Sequence, residues 1–264
     1  MSEQRWAVVT GASSGIGTDI ARELAKRGYC LLLTARRSDR LQALAEELRN
    51  AHRVEIECVP LDMTLAEAPV HLYERATARN RRIQVLVNNA GFGDQTQFVD
   101  QDWPRLQQML QLNMTALTEL CWLFVKHMRE HGMSSHVLNV ASVGAWTPSP
   151  SFAVYAASKA YVRNFSEALS YELGASNVSA TCLCPGATAT EFMEVAGYKM
   201  SAFDRAITQS SQAVARLGVD AMLARKALRV TGWINHIITL LAPWAPRWIV
   251  VVAAAKSLKY SPKP

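Results

Sequence analysis

Tyr155 and Lys159 are the residues of this chain whose types and spacing most directly suggest chemistry. A separation of four positions puts both side chains on one face of a helix, one turn apart. An ammonium group beside a phenol favours the phenolate, so we expect Lys159 to lower the pKa of Tyr155 from its usual value of about 10. The pair would then supply an acid or a base near neutral pH. A chance pair on a solvated helix face is the alternative.

Ser142 stands ahead of this helix, at the end of the apolar run 136–141. The run is short and apolar, which indicates a buried strand. A serine hydroxyl at the end of that strand could hold a carbonyl oxygen toward the phenol of Tyr155. Ser142 therefore joins Tyr155 and Lys159 as a candidate catalytic residue.

Three glycines, Gly11, Gly15 and Gly17, follow the first predicted strand and precede a predicted helix. A strand, a glycine-rich turn and a helix are the context of a dinucleotide-binding loop. The first glycine permits the turn, and the later ones let the backbone and the helix approach a pyrophosphate at the helix N-terminus. The spacing departs from the more familiar Gly-x-Gly-x-x-Gly, and a glycine-rich loop alone is modest evidence for a nucleotide.

The second predicted strand ends in Arg36 and Arg37, with no acidic residue where one would bind the ribose 2′-hydroxyl of NAD. An arginine there accommodates the 2′-phosphate of NADP, and its guanidinium can also stack on adenine. The pattern predicts a preference for NADP(H) over NAD(H). The alternative is two solvated arginines at a helix start.

The elements that position these residues alternate regularly. Short apolar strands followed by helices indicate right-handed βαβ units, and hence an α/β fold with a parallel sheet covered on both faces. Strands are predicted at 6–10, 30–35, 54–61, 85–88, 136–141 and 179–184, and helices at 41–50, 104–130 and from about 154 to 173.

Composition fits one soluble globular domain over residues 1–264, with half of the residues hydrophobic and 19% charged. Five cysteines lie mostly in apolar runs, and the N-terminal residues lead into a strand without the apolar core of a signal peptide. We therefore expect reduced thiols in a cytoplasmic protein. Cys182 and Cys184 alternate along one strand, but no His/Cys cluster accompanies them, so no metal site is predicted.

Residues 187–211 lose the regular pattern and carry several large apolar side chains. A segment that follows the carboxyl end of a strand in this way is where a substrate lid would lie. An ordinary surface excursion is the alternative.

The motifs together resemble the short-chain dehydrogenase/reductase family, in its compact, non-extended branch. The resemblance covers about residues 5 to 190, and the flanking sequence is most similar to a bacterial group of NADP-dependent reductases related to 17β-hydroxysteroid and 3-ketoacyl reductases. The matching residues occur in the family's order: Thr10-Gly-x-x-x-Gly-x-Gly17, Asp62, Asn88-Asn-Ala-Gly91, Asn113, Ser142, Tyr155-x-x-x-Lys159 and Pro185-Gly186.

The resemblance implies a Rossmann-type, doubly wound sheet of about seven strands in a three-layer sandwich, and hydride transfer between a nicotinamide and a carbonyl or alcohol. Tyr155 would be the general acid, Lys159 would lower its pKa and hold the nicotinamide ribose, and Ser142 would fix the substrate oxygen. Asn113 would hold a water that links Lys159 to solvent. With the two arginines, the expected cofactor-binding residues are Gly11, Ser13, Ser14, Gly15, Ile16, Gly17, Arg36, Arg37, Asp62, Met63, Asn89, Ala90, Gly91, Tyr155, Lys159, Pro185, Gly186 and Thr188.

The expected function is therefore an NADP(H)-dependent oxidoreductase that acts on a small-molecule carbonyl or alcohol. The alternative is a binding protein that senses NADP(H) on the same fold without turnover; such a protein would be expected to lose Tyr155 or Lys159, and this chain keeps both. Aromatic and apolar residues in the segments expected to flank the nicotinamide suggest a pocket for a ketone, aldehyde, steroid or acyl substrate, although they could be plain packing: Trp146, Phe152, Phe192, Met193 and Phe203.

The segment 221–264 is a basic, tryptophan-containing, apolar extension. No acidic residue follows Asp220. The seven cations after it contribute +7, while the whole chain has a net charge of +6, so the basic character belongs to this segment. These cations are Arg225, Lys226, Arg229, Arg247, Lys256, Lys259 and Lys263. The extension lacks any nucleic-acid-binding motif. It either packs on the protein's own core or a partner subunit, or makes a peripheral contact with the inner face of an anionic membrane. The family resemblance also implies a homodimer or homotetramer.

Overall fold

The computed structural model describes residues 4–198, 200, 202–258 and 260, and gives only the backbone of Ala202 and Phe203. Strands and helices alternate through the chain, as the sequence predicts. The strands are β1 (Trp6–Thr10), β2 (Cys30–Ala35), β3 (Ile56–Pro60), β4 (Ile83–Asn88), β5 (Ser135–Val140), β6 (Val178–Cys184), β7 (Thr188–Ala189), β8 (Gln209–Ser210) and β9 (Leu228–Val230). The helices are α1 (Gly15–Lys26), α2 (Ser38–His52), α3 (Ala68–Thr77), α4 (Trp103–Leu110), α5 (Leu117–His131), α6 (Ala153–Glu172), α7 (Phe192–Val195), α8 (Ala202–Ile207), α9 (Ser211–Leu223), α10 (Trp233–Leu241) and α11 (Arg247–Ser257), with 3-10 turns at Ala78–Asn80, Phe98–Asp100 and Val143–Trp146.

Seven parallel strands form one sheet in the order β3-β2-β1-β4-β5-β6-β9. The strand order runs one way from β1 and the opposite way from β4, which makes the carboxyl ends of these two strands the switch point where such sheets bind ligands. The predicted seven-stranded, doubly wound α/β fold is confirmed. The seventh strand, β9, was implied only by the family resemblance.

Side chains of β1 alternate between two hydrophobic cores, one on each face of the sheet. Trp6 and Val8 pack with residues of α3, α5 and α6, while Ala7 and Val9 pack with residues of α1, α2 and α9. This alternation follows from the two-residue period of a strand, and each fully buried large aliphatic side chain contributes about 2 kcal/mol of hydrophobic stabilisation. Helices on both faces complete the three layers and hold the carboxyl edge of the sheet in place.

The helix predicted over 104–130 is built in three parts. α4 and α5 are joined by a π-helical turn, Gln111–Ala116, in which Asn113 is almost fully buried. Insertions of this kind are frequent at functional sites because they redirect one side chain without ending the helix. The apolar spacing predicted the helix but not the turn.

The irregular segment 187–211 contains α7 and α8 and a short parallel pair, β7 with β8. Lys199 and Ser201 of this segment lie outside the described residues. The pairing of β7 with β8 ties the two ends of the segment together beside the carboxyl end of β6.

The predicted C-terminal extension, residues 221–264, includes elements that pack with the sheet. Within residues 221–230, α9 ends and β9 forms, and β9 pairs with β6 at the edge of the sheet. Val219 and Met222 of α9 are buried in one of the cores. The part beyond the sheet is α10, a proline-containing turn and α11, which we name the C-terminal arm (residues 232–258). No helix in the described part of the chain is long and apolar enough to cross a membrane.

Candidate active site

A cavity of about 490 Å³ lies at the carboxyl edge of the sheet, over the switch point between β1 and β4. It joins the glycine-rich loop to the candidate catalytic residues, so the sequence-predicted site is brought together in one place. Most of the predicted site residues line it: Gly11, Ser13, Ser14, Gly15, Ile16, Arg36, Arg37, Asp62, Met63, Asn89, Ala90, Gly91, Ser142, Phe152, Tyr155, Lys159, Pro185, Gly186, Thr188, Phe192 and Met193. Gly17, Asn113 and Trp146 do not line it.

The three candidate catalytic residues come from two elements. Ser142 follows β5 in extended backbone, and its hydroxyl accepts a hydrogen bond from the backbone of Gly144 at 3.1 Å. The same side chain lies beside the phenol of Tyr155, in the first turn of α6, and both residues line the cavity. Lys159 is one turn further along α6, and its ammonium donates to the carbonyl of Val140 at 2.9 Å. The end of β5 therefore holds both Ser142 and Lys159 against the phenol.

Burial controls the protonation of this pair. It raises the pKa of Tyr155 to about 12; the nearby Ser142 hydroxyl opposes the rise, and the Cys184 thiol adds to it. Burial lowers the pKa of Lys159 to about 8, against the opposing influence of Cys182 and Cys184. The pKa of Tyr155 is therefore raised in this structure and not lowered as expected, because the loss of water around the phenol is the largest influence on it. Tyr155 is a protonated phenol at neutral pH.

Asn113 lies behind the cavity wall instead of in it. Its amide nitrogen donates to the carbonyl of Phe92 at 3.0 Å and to the Ser158 hydroxyl at 3.1 Å, and its amide oxygen accepts from the backbone of Phe92 at 3.2 Å. A Cβ added to Gly91 would lie 3.0 Å from that oxygen and 3.4 Å from the Lys159 nitrogen. Asn113 thus fixes the loop after β4 next to Lys159. Its expected water-holding role stays a prediction.

The glycine-rich loop is shaped as a cradle for a pyrophosphate. Gly11 and Gly15 have positive φ, and a Cβ on Gly17 would lie 2.3 Å from the carbonyl oxygen of Gly11. The Asn89 amide donates to the carbonyls of Thr10 and Gly11 at 3.0 and 3.2 Å, which locks the loop onto the end of β4. Ser14 at the start of α1 forms no side-chain cap, so the helix N-terminus presents its backbone N–H groups to the cavity. The loop therefore fits a dinucleotide.

The two arginines after β2 differ in their contacts. Arg36 is exposed at the cavity wall. Arg37 donates to the Ser13 hydroxyl at 3.2 and 3.3 Å and forms a 2.8 Å ion pair with Glu191. Arg40 also pairs with Glu191, at 2.5 Å. Glu191 carries no signal in the sequence, because its position over the arginines depends on the fold of the segment 187–211.

Aromatic rings surround the phenol of Tyr155. Phe152 meets it edge-on with ring centroids 5.1 Å apart, and Phe192 lies at 5.3 Å. A Cβ at Gly93 would lie 3.1 Å from both phenylalanines and 3.2 Å from Tyr155, so only glycine leaves room for this wall. The wall gives the catalytic end of the cavity an apolar lining. Sequence reasoning missed several lining residues because they lie in irregular segments: Phe92, Glu191, Val195, Tyr198, Asp204 and Leu258.

Trp146 was predicted to line the pocket, and the structure places it elsewhere. The guanidinium carbon of Arg163 lies over the Trp146 ring, 4.5 Å from the ring centroid. The side chain of Trp146 also packs against one of the two hydrophobic cores. Trp146 ends the 3-10 turn that follows Ser142 and does not line the cavity. The side chain of Phe203 lies outside the described residues.

No group of three or more potential metal ligands is assembled within the described part of the chain. Cys182 and Cys184 lie side by side under the site, with sulfur atoms 3.5 Å apart and both side chains buried. Burial raises the pKa of the Cys184 thiol well above its ordinary value. All five cysteines are free.

Comparison with known proteins gives consistent matches. The family model described as short chain dehydrogenase matches residues 5–200. A human protein named inactive hydroxysteroid dehydrogenase-like protein 1 is 29% identical over 253 residues, which cover 95% of this chain and 75% of the relative. Sulfoacetaldehyde reductase 2 of Chromohalobacter salexigens is 35% identical over 189 residues, covering 70% of this chain and 73% of the relative.

A solved structure extends the likeness to three dimensions. A short-chain dehydrogenase from Sphingobium yanoikuyae in complex with NADPH superposes with a TM-score of 0.80 at 28% identity, covering 98% of this chain and 96% of the other. The shared fold and the dinucleotide cradle support an oxidoreductase with a nicotinamide cofactor. From the family model, the similar relatives and the sheet topology together, the chain belongs to the short-chain dehydrogenase/reductase family.

Proposed function

We propose that the protein is an NADP(H)-dependent oxidoreductase that reduces a carbonyl group to an alcohol, or catalyses the reverse reaction. The observation that carries the proposal is the convergence of the Ser142 hydroxyl, the Tyr155 phenol and Lys159, one helical turn further along α6, in a cavity continuous with the dinucleotide cradle. A phenol and a hydroxyl that converge on one point can together hold and protonate a single oxygen atom.

The roles follow from the protonation states. A bound nicotinamide cofactor supplies or accepts the hydride. Ser142 holds the substrate oxygen against Tyr155, whose raised pKa keeps its proton available as a general acid for reduction. Lys159 holds its charge below pH of about 8 and stabilises the phenolate that forms as the proton leaves. Asn113 keeps Gly91 and Phe92 in place beside Lys159.

The preference for NADP(H) over NAD(H) is supported by the arginines after β2. Arg36 and Arg37 line the cavity, Arg37 lies next to Ser13 of the cradle, and no carboxylate ends β2. A guanidinium fork matches a phosphate geometrically and electrostatically. Dissociation constants for NADPH and NADH, measured by the quenching of tryptophan fluorescence, test this preference: we expect NADPH to bind more tightly, and equal affinities would contradict it.

The substrate is proposed to be hydrophobic, because Phe152, Phe192 and Met193 form the wall beside Tyr155. The segment 187–211 supplies Phe192 and Met193, so we assign it the role of a substrate lid. A preference for small hydrophilic carbonyls over long-chain or polycyclic ones would contradict this substrate class. The relative named sulfoacetaldehyde reductase makes small polar aldehydes a necessary part of the panel.

Self-association as a homodimer or homotetramer is also proposed. The exposed apolar residues Phe98 and Trp103 lie at an open groove with Ala153, Val154 and Ala157 of α6, and such a surface suits a second copy. Light scattering coupled to size exclusion measures the mass directly, and a monomer at micromolar concentration would contradict the proposal.

The catalytic proposal is tested by Tyr155→Phe. Loss of the proton donor should reduce turnover by about 10²- to 10⁴-fold while the dissociation constant for NADPH stays within a few fold. The matched control is Tyr161→Phe, on the same helix, whose hydroxyl bonds Thr118 at 2.8 Å outside the cavity. The readout is NADPH oxidation at 340 nm with aldehydes, diketones, steroids and 3-ketoacyl esters, and equal rates for the parent and Tyr155→Phe would remove the proposal.

A non-catalytic NADP(H)-binding protein is the second candidate, and one observation favours it: the human relative that covers 95% of this chain is named inactive. The retained Ser142, Tyr155 and Lys159 favour turnover in this chain. Tight NADPH binding without oxidation across the whole substrate panel would support the second candidate.

A further inference from the structure

The helix α10 has the reverse of the usual amphipathic arrangement. Its buried positions are Asn235, Thr239 and, just after the helix, Ala242, which fall on one face at helical spacing. Asn235 donates to the carbonyl of Thr231 at 2.8 Å, and Thr239 donates to the carbonyl of His236 at 3.0 Å. A surface helix normally buries its apolar stripe and exposes its polar one. Here the polar face meets the protein.

The opposite face of α10 is apolar and open. Trp233 is 75% exposed, and Ile237, Leu240, Leu241 and Trp244 follow it at helical intervals, with Trp244 at 88%. The exposed apolar residues continue into α11 with Trp248, Ile249 and Val252. Soluble monomers rarely expose a contiguous apolar surface of this extent, and such a surface marks a site of contact with a protein or a membrane.

The charges on the C-terminal arm distinguish contact with a second copy of the protein from contact with a membrane. Arg247 and Lys256 are exposed on α11, and no acidic residue occurs after Asp220. Two copies meeting through this surface would bring like charges together without a carboxylate of the arm to pair them. Anionic lipid headgroups would pair them, at about 1 kcal/mol for each cation near the surface.

We propose that the C-terminal arm binds to the surface of an anionic lipid bilayer, with the apolar face of α10 and the adjoining face of α11 in the interfacial region. α10 has nine residues and α11 has eleven, and Pro243 and Pro246 lie between them. At about 1.5 Å per residue each helix is about half the thickness of the hydrocarbon core, so both lie along the membrane plane. The three exposed tryptophans suit the boundary between headgroups and acyl chains.

The C-terminal arm also touches the catalytic cavity. Leu258, just after α11, lines the cavity, and its carbonyl accepts a hydrogen bond from the side chain of Gln95 at 3.2 Å. The amide of Asn235 packs so closely on Gly186 that a Cβ there would lie 2.0 Å from it. Membrane binding through the arm therefore places the cavity next to the lipid surface. The binding itself does not depend on the proposed chemistry.

Vesicle co-sedimentation of the full-length protein tests the proposal. The probes are vesicles of phosphatidylcholine alone and vesicles with 30–50% phosphatidylglycerol. We expect binding to the anionic vesicles that weakens with salt, and a loss of about tenfold or more in the triple variant Trp233→Gln/Trp244→Gln/Trp248→Gln. Arg247→Gln/Lys256→Gln should remove most of the preference for anionic lipid.

Trp122→Gln is the matched control, because Trp122 is also exposed and lies beside a cation, Lys126, on the distant helix α5. It should bind vesicles as the parent does. Unchanged NADPH affinity shows that each variant is folded, independently of any turnover. The proposal is overturned if the parent fails to bind anionic vesicles, if the triple variant binds as well as the parent, or if the triple variant instead dissociates an oligomer of the parent in the absence of lipid.

Discussion

The helices α1 and α10 are both amphipathic, and they face the protein with opposite sides. α1 buries Ile20 and Leu24 against the sheet and directs Arg22 outward, where it pairs with Glu47. α10 buries Asn235 and Thr239, and its tryptophan and leucines are exposed. An amphipathic pattern thus predicts a helix and two faces, but which face meets the protein depends on the medium on the other side.

The sharpest test of this comparison replaces one leucine in each helix. Leu24 is fully buried in α1, so Leu24→Ala should lower the free energy of unfolding by about 3 kcal/mol through lost burial and the cavity that remains. Leu241 is 63% exposed in α10, so Leu241→Ala should change it by less than about 0.5 kcal/mol in solution. Urea unfolding followed by circular dichroism measures both values.

The free energy change for Leu241→Ala is interpreted against that for Leu24→Ala. A cost of 2 kcal/mol or more for Leu241→Ala, a core-like value, would show that the exposed face of α10 is covered in the free protein, and the contrast with α1 would fail. A small cost together with weaker vesicle binding would instead sharpen it.

The pH dependence of stability is expected to come from the sheet and not from the arm. β5 buries His136 against the Ser179 hydroxyl at 2.9 Å, and burial, with Arg225 adding to it, lowers the pKa of this histidine to about 4. In the unfolded chain the histidine has its ordinary pKa of about 6.5. The stabilisation that comes from keeping His136 neutral is therefore complete above that pH and is lost as the pH falls toward 4. The expected loss is on the order of 3 kcal/mol.

His136→Asn should remove this part of the acid dependence in urea titrations between pH 7 and pH 4.5. The control is His52→Asn on the exposed end of α2, which should leave the dependence as in the parent. An unchanged acid slope in His136→Asn would show that β5 does not hold a neutral histidine.

The next prediction concerns the contribution of the buried polar face of α10 to the free energy of unfolding. Asn235→Ala removes the hydrogen bond to the Thr231 carbonyl and the contact with Gly186. Because alanine favours the helix while the lost bond leaves a buried acceptor, the net cost should be about 1 kcal/mol. Ile237→Ala, on the exposed face of the same helix, is the control and should be neutral or slightly stabilising. A larger cost for Ile237→Ala than for Asn235→Ala would reverse the assignment of the two faces.

Features set by local sequence patterns could be predicted from the sequence, whereas features set by packing between distant segments could not. The strands and the glycine-rich loop were predictable because period-2 and period-3.6 patterns and turn glycines are local properties of the sequence. The π-helical turn that positions Asn113 and the turn that removes Trp146 from the pocket were not, because both depend on packing between distant segments. The pKa of Tyr155 was predicted in the wrong direction because spacing shows a neighbouring charge but not the depth of burial.

Glu191 makes a third kind of contact, in which charge holds the segment 187–211 to the arginines at the cavity wall. Its carboxylate pairs with Arg40 and Arg37, which hold its pKa below the ordinary value. A cofactor 2′-phosphate at Arg37 would be repelled by this carboxylate. Glu191→Gln should therefore bind NADPH about three- to tenfold more tightly while NADH affinity stays unchanged.

The matched control for this effect is Glu47→Gln, which removes an exposed carboxylate from another arginine, Arg22, on the far side of α1. It should leave both affinities as in the parent. Because surface ion pairs are screened by salt, the gain in Glu191→Gln should shrink as the ionic strength rises from 0.01 to 1 M, where the screening length falls from about 30 to about 3 Å. Equal gains for NADPH and NADH would mean that Glu191 restricts entry to the cavity and does not compete with the 2′-phosphate, and the segment would then be a steric lid.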